Sequence, residues 1–212
     1  MVATPTMQRL LESRGFRNIV RWTRGVDTEL FKPADKQYLT WPRPIALYVG
    51  RVAVEKNIEE FVRLDWPGTK VVLGDGPARA QLERRYPQTR FVGYKYGEEL
   101  ARHVAAADVF VFPSRTDTFG LVLLEAMSCG VPVAAYPVTG PIDVVTEGVT
   151  GALRDDLETA AREALKLDPA ACRRHALENS WEAATRQFLG NLVPARAVAT
   201  PLVAEAAPHR EG

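Results

Sequence analysis

A chain of 212 residues has room for one good core, or for a core and part of a neighbouring domain, because domains usually run about 100 to 200 residues. The 27 basic and 26 acidic residues leave a formal net charge of +1, and a nucleic-acid partner, which needs a strong basic excess, is not expected. Cys129 and Cys172 belong to no CxxC pair, which excludes a disulfide framework and a zinc ribbon and favours a reducing, cytoplasmic location.

The first 44 residues differ from the rest of the chain. They predict a helix closed by Gly15, a strand at about 18–23 and a proline-bearing stretch before Pro44. We interpret residues 1–31 as the remnant of a preceding domain and residues 32–44 as a linker. No apolar run reaches the roughly 18 residues of a spanning helix and no signal-peptide layout is present, so any contact with the inner face of the cell membrane is expected to be peripheral.

Residues 45–180 alternate short apolar runs with helical stretches, a pattern typical of βαβ units. We therefore predict an α/β domain with a Rossmann-like parallel sheet flanked by helices. The predicted strands are 45–50, 70–74, 90–93, 109–113 and 132–136. The predicted helices are 57–64, 77–86, 97–107, 119–128, 156–167, 169–179 and 181–192. Residues 194–212, rich in alanine and proline without periodicity, predict a disordered tail.

The run TDTFGLVLLEA, residues 116–126, carries two acidic groups eight positions apart. Its helix is apolar all round, as buried helices are, and it follows a strand, so its N-terminus would face the ligand edge of the sheet and offer an anion site. Glu125 lies inside that helix and needs a cation, several hydroxyls or an open cleft. A phosphate at the helix start, a ribose diol at Glu125 and a polyol at Asp117 together indicate a nucleotide sugar.

Structural roles are alternatives for both carboxylates. Asp117 is compatible with a plain helix cap, and Glu125 with a buried bridge to Arg115 or Arg51. Arg51 and Lys56, in the loop after the first core strand, have the chemistry to hold a diphosphate. The GDGP turn at 74–77 is weaker evidence, and there is no GxGxxG, Walker or HExxH motif.

Six motifs together resemble the GT4 family of retaining glycosyltransferases, which have the GT-B fold, over about residues 18–192. They read GVDTELFKP, YVGRVAVEKN, VVLGDGPARAQLE, RFVGY, LARHVAAADVFVFPSRTDTFGLVLLEAMSCGVPVAA and VTGPIDVV. The resemblance implies that residues 45–180 are the nucleotide-sugar-binding, C-terminal half of a GT-B fold. Residues 1–31 would then be the end of the acceptor domain, and residues 181–193 a helix that crosses back toward it.

The same resemblance implies roles for individual residues. Arg51, Lys56 and Asp117 would be catalytic: the two cations would stabilise the departing diphosphate, and Asp117 would orient the transferred sugar. The implied donor-binding residues are Gly50, Gly74, Val92, Tyr94, Phe119, Gly120, Leu121, Val122 and Glu125. The family pattern has glutamate where this chain has Asp117, a paired glycine where it has Thr139-Gly140, and glutamate at Asp143.

These inferences predict transfer of a hexose from a UDP- or GDP-sugar to a lipid or glycan acceptor, with retention, in cell envelope glycan biosynthesis. This chain would supply the donor-binding half, incomplete for turnover by itself. The partners expected are the donor and, through the acceptor domain, the acceptor; no metal or other cofactor is expected. Two alternatives remain, a noncatalytic nucleotide-sugar-binding module and a sugar-nucleotide epimerase.

Overall fold

One parallel sheet of six strands organises the protein. A computed structural model describes residues 1–193, and the tail expected over residues 194–212 lies outside them. The strand order is β3-β2-β1-β4-β5-β6, so the α/β fold with a Rossmann-like sheet is confirmed. The strands are β1 (Ile45–Val49), β2 (Thr69–Leu73), β3 (Arg90–Gly93), β4 (Val109–Phe112), β5 (Val133–Ala135) and β6 (Gly151–Leu153).

Helices connect and cover the strands. They are α1 (Pro5–Ser13), α2 (Ile58–Arg63), α3 (Arg79–Arg85), α4 (Gly97–Ala106), α5 (Leu121–Ser128), α6 (Pro141–Val144), α7 (Leu157–Ala164), α8 (Pro169–Glu178) and α9 (Trp181–Gly190), with 3₁₀ turns at Lys36–Tyr38 and Val54–Lys56. Side chains cap several of them: Asp156, Asp168 and Ser180 accept hydrogen bonds from first-turn N–H groups of α7, α8 and α9.

The core has two layers because successive side chains of a strand point to opposite faces of the sheet. In β1, Ile45 and Leu47 join the cluster that contains the α5 residues Leu123 and Leu124. Tyr48 packs on the other face, with Phe61 of α2. Helix α5 is thus held between the sheet and the outer helices, and its first turn is fixed at the carboxyl edge of the strands.

The sequence-based prediction was wrong at three places. Residues 18–23 form no strand, and Arg21 makes only a single β-bridge, with Val2. The strand β6 and the one-turn helix α6 were not predicted, since three or four residues are too few to show a period. The other predicted elements are present within a few residues of their expected ends.

The domain boundaries at residues 31 and 44 stay predictions. The side chains of Val26 and Phe31 are buried in the same cluster as the sheet. Arg173 of α8 donates hydrogen bonds to the carbonyls of Thr28 and Phe31, which ties this stretch to the Rossmann-like domain. Residues 26–31 therefore pack as part of that domain.

Gly74 is required by the packing of the strand ends. Its φ is +139°, and a Cβ there would lie 1.9 Å from the carbonyl oxygen of Gly50. We expect Gly74→Ala to destabilise the fold by at least about 2 kcal/mol, because backbone atoms must move to relieve the clash. Denaturant unfolding measures this change.

Gly190 provides the matched control for Gly74. Apart from its chain neighbours and its own helix backbone, no atom lies within 4 Å of a Cβ built on Gly190 at the end of α9. Gly190→Ala should leave stability unchanged or raise it by up to about 1 kcal/mol. Equal stability of the two variants would contradict the steric argument.

Candidate functional site

A cavity of about 500 Å³ opens at the carboxyl ends of β1 and β4. The chain continues from β1 to β2 on one side and from β4 to β5 on the other, so this is where the strand order reverses. Ligands of open α/β sheets bind at such a position. The lining residues are Arg24, Tyr48, Val49, Gly50, Lys56, Phe112, Ser114, Asp117, Thr118, Phe119, Gly120, Leu121, Val122 and Glu125.

The N-terminus of α5 forms one wall of the cavity. Gly120 is the N-cap, with φ 82° and ψ 67°, and no side chain caps the first turn. Gly120, Leu121 and Val122 all line the cavity. Unpaired N–H groups and the positive end of the helix dipole therefore border a space where an anion can bind.

Lys56 and Asp117 form an ion pair within the cavity. The Nζ atom of Lys56 lies 2.7 Å from Oδ1 and 2.9 Å from Oδ2 of Asp117. Asn57 fixes this geometry: its φ is 53°, and its Nδ2 donates to the carbonyl of Pro113 at 3.0 Å, joining the two loops that carry the pair. Asp117 does not cap α5, because Gly120 occupies that position.

Glu125 faces the cavity without a protein partner. Among residues 1–193 no side chain or backbone group makes a hydrogen bond or ion pair with its carboxyl group. Burial raises the pKa of Glu125 to about 7. The structural bridge considered above is absent, since Arg115 stacks 3.6 Å from the ring centroid of Tyr136 and Arg51 pairs with Glu55.

Two further hydroxyls lie in the cavity wall. The Oγ atom of Ser114 is buried and has no hydrogen-bond partner within the described part of the chain. The hydroxyl of Tyr48 donates to the carbonyl of Arg51 at 2.8 Å. Burial, and then the charge of Asp117, raise the pKa of Tyr48, which keeps it a neutral donor. The hydroxyl of Ser114 is thus unpaired but buried behind the cavity wall.

The cavity brings together eight of the twelve predicted site residues. These are Gly50, Lys56, Asp117, Phe119, Gly120, Leu121, Val122 and Glu125. The other four do not line it. Arg51 is an exposed rim residue, with a 61% exposed side chain 3.2 Å from Glu55.

Gly74, Val92 and Tyr94 lie along the neighbouring strand ends. Gly74 donates its N–H to the carbonyl of Gly93, and Val92 packs against the core. Tyr94 is 53% exposed and stacks on Tyr96, with ring centroids 6.1 Å apart. The donor-binding roles of these residues and of Arg51 stay predictions.

Six lining residues were not predicted from the sequence. They are Arg24, Tyr48, Val49, Phe112, Ser114 and Thr118. Five of these stand at or just after the ends of β1 and β4, where the strand-end rule could have found them. Arg24 could not be found in this way, because it comes from the N-terminal segment, far from either strand in sequence.

Residues 1–193 contain neither a metal-binding cluster nor a membrane-spanning helix. No group of three or more His, Cys, Asp and Glu side chains is arranged to hold a metal ion. No helix in the same range combines the length and apolarity needed to span a membrane.

Comparison with known proteins decides the family. The family model for glycosyl transferases group 1 matches residues 43–167, more than half of the chain. The chain belongs to this family. The resemblance to the GT4 type with its GT-B fold is thereby confirmed.

Two curated relatives and one solved structure are similar to this chain. A GDP-mannose-dependent alpha-mannosyltransferase of Mycobacterium tuberculosis is 34% identical over an alignment of 207 positions that covers 89% of this chain and 54% of the relative. A sulfoquinovosyl transferase of Arabidopsis thaliana is 35% identical over 194 residues, 79% of this chain and 38% of the relative. Sucrose-phosphate synthase of Thermosynechococcus elongatus superposes with a TM-score of 0.77 and 30% identity, over 89% of this chain and 56% of that one. The chain spans about half the length of the curated relatives it matches.

The pKa of Glu125 predicts a pH-dependent stability. Its value of about 7 lies above the ordinary 4.5, so the folded protein holds a proton that the unfolded chain releases between these two values. Stability is therefore full below pH 4.5 and falls as pH rises toward 7. Between pH 5 and pH 8 the free energy of unfolding of the wild type should fall by on the order of 2 kcal/mol, and Glu125→Gln should abolish this fall. Urea unfolding at the two pH values measures it.

Glu178 supplies the control, because it is an exposed glutamate of another helix, α8. Glu178→Gln should keep the pH dependence of the wild type. The buried-carboxyl interpretation is refuted if Glu125→Gln shows the same difference in unfolding free energy between pH 5 and pH 8 as the wild type.

Proposed function

We propose that this chain binds the donor of a retaining hexosyltransferase, which moves a hexose from a UDP- or GDP-sugar to a lipid or glycan acceptor. The observation that carries the proposal is the convergence of four features on one cavity at the strand-order reversal. These are the N-terminus of α5, the Lys56 ammonium, the Asp117 carboxylate and the unpaired carboxyl of Glu125. Each matches one part of a nucleotide sugar.

The diphosphate suits the cationic part of the cavity. When the bond between the sugar carbon and the diphosphate oxygen breaks, negative charge develops on the departing phosphate. Lys56 and the N–H groups of Leu121 and Val122 are positioned at the same cavity to stabilise that charge. Stabilisation by fixed donors needs no metal ion, and we propose none.

The two carboxyl groups suit the sugars. Glu125 has no protein donor among the described residues, and a ribose diol would supply two. Asp117 would accept from hydroxyls of the hexose after it exchanges Lys56 for them. Its side chain is one methylene shorter than the glutamate of the family pattern, which makes this position a determinant of the sugar bound.

Relatives suggest the donor and the setting. The Mycobacterium tuberculosis relative is named as GDP-mannose-dependent, and mannose is therefore our first candidate for the hexose. We place the acceptor on a further domain, in keeping with the share of the relatives that this chain covers. The reaction would take place in the cytoplasm, at the inner face of the membrane when the acceptor is a lipid.

Calorimetric titration with UDP, GDP and ADP, and then with the matching sugar nucleotides, tests the proposal. We expect one diphosphate to bind more tightly than the others, and Lys56→Gln to weaken it at least about tenfold, because an ammonium that neutralises phosphate is worth about that much. Lys166→Gln, which removes an exposed lysine away from the cavity, is the control. The proposal fails if no diphosphate binds, or if both lysine variants behave alike.

Substitution of Asp117 separates its two expected roles. Asp117→Asn removes the counter-charge of Lys56, so affinity for the nucleoside diphosphate alone should stay the same or rise. The extra affinity that the hexose adds should fall, because an amide accepts fewer hydrogen bonds from hydroxyls than a carboxylate. The ratio of the two dissociation constants is the measurement.

Asp155→Asn, at an exposed position, is the control for Asp117 and should leave that ratio unchanged. If Asp117→Asn weakens the diphosphate and the sugar nucleotide equally, Asp117 does not contact the sugar. Sugar-nucleotide binding that leads to no transfer by any longer form of the protein would favour the noncatalytic module.

A further inference from the structure

Arg24 is a cation of the donor cavity that the family pattern did not supply. It lines the cavity together with Lys56, Asp117 and Glu125. Its guanidinium lies 5.5 Å from the ring centroid of Trp22. Within residues 1–193 it makes no ion pair and no side-chain hydrogen bond. Its five N–H donors are therefore available to a ligand.

The segment that carries Arg24 is firmly attached on both sides. Before it, the N–H of Thr23 donates to Oε1 of Gln187 at 2.7 Å, and Trp22 packs on Phe188 at 4.8 Å between ring centroids. After it, Val26 exchanges backbone hydrogen bonds with the segment that begins α9. Arg24 thus projects from a backbone whose position is set by α9.

Gly25 allows this close attachment. A Cβ at Gly25 would lie 2.5 Å from backbone atoms of Trp181, so only glycine lets the two segments meet. The close packing of Gly25 on Trp181 fixes the position of the preceding residue, Arg24, beside the start of α9. The backbone of Arg24 is therefore held beside the cavity by packing that does not depend on a ligand.

Arg24 is a lining cation whose charge is not balanced by a carboxylate of the described residues. Lys56 is already paired with Asp117 at 2.7 Å, and Arg51 lies outside the lining, paired with Glu55. Arg24 makes no ion pair with Glu125, although both line the same space. A diphosphate carries at least two negative charges, and Arg24 is the lining cation that no described carboxylate neutralises.

We propose that Arg24 binds the diphosphate of the donor, so that residues from two distant parts of the chain, Arg24 and Lys56, hold the two phosphates. The planar guanidinium matches phosphate oxygens with two parallel hydrogen bonds, while the ammonium of Lys56 acts as a point charge. The inference rests on the proposed function and adds Arg24, from the N-terminal segment, to the cations that would contact the diphosphate.

The test compares Arg24→Gln, Arg24→Lys, Arg51→Gln and Lys56→Gln by calorimetry with UDP and GDP, and with uridine and guanosine. Arg24→Gln should weaken the diphosphate that binds the wild type by about tenfold or more, and Arg24→Lys by less. Affinity for the nucleoside, which has no phosphate, should not change. Arg51→Gln measures separately the contribution of the arginine that the sequence pattern implicates.

Arg17→Gln removes the same charge from an exposed position of the N-terminal segment and should bind like the wild type. Arg24→Gln with unchanged diphosphate affinity, while Lys56→Gln weakens it, would overturn the inference and leave the proposed function intact. Equal loss of nucleoside and diphosphate binding in Arg24→Gln would indicate a structural role and also overturn it. A wild-type chain that binds neither diphosphate would end both proposals.

Discussion

The reversal of strand order between β1 and β4 is the constraint on which the site depends. Because the chain leaves these neighbouring strands in opposite directions along the sheet, no crossover helix covers their carboxyl ends. The space left open receives the loop after β1 with Lys56 and the loop after β4 with Asp117. It also receives the first turn of α5, which the two-layer core holds in place. A parallel sheet with another order would separate these groups.

The ion pair between Lys56 and Asp117 joins two walls of the cavity. Both side chains are partly buried and have lost part of their hydration. Each compensates for this loss by pairing with the other's charge, at 2.7 Å. Asn57 reinforces the arrangement through its bond to Pro113. In the proposed function, an entering diphosphate would compete with Asp117 for Lys56, and the freed carboxylate would then need donors such as sugar hydroxyls. The same contact would therefore link phosphate binding to recognition of the hexose.

The sequence predicted what depends on local pattern. Apolar runs that end in glycine or proline gave the first five strands, and the all-apolar surface of α5 gave a buried helix with Glu125 inside it. The strand-end rule then led to Lys56 and Asp117. The local pattern failed where contacts between distant parts of the chain decide the structure. Residues 18–23 have strand-like composition, but they join no sheet and make hydrogen bonds with α9 and a single β-bridge with Val2. Arg24 was missed for the same reason, because the next residue, Gly25, packs on Trp181, which is remote in sequence.

Charge in the cavity changes in a linked way when an anion binds. Glu125 already has a pKa of about 7 through burial, so near neutrality the carboxyl is partly protonated. In the proposed function, a diphosphate nearby would disfavour its ionised form further, whereas ribose hydroxyls that donate to the carboxylate would favour it. Phosphate and ribose would therefore act on the pKa of Glu125 in opposite directions. The cations Lys56 and Arg24 would shift this balance, since they would neutralise the phosphate charge near Glu125. In the proposed function, a donor that places its diol at Glu125, its phosphates at the two cations and its hexose hydroxyls at Asp117 would satisfy every charged group of the cavity at once, and inorganic phosphate or a free sugar would not.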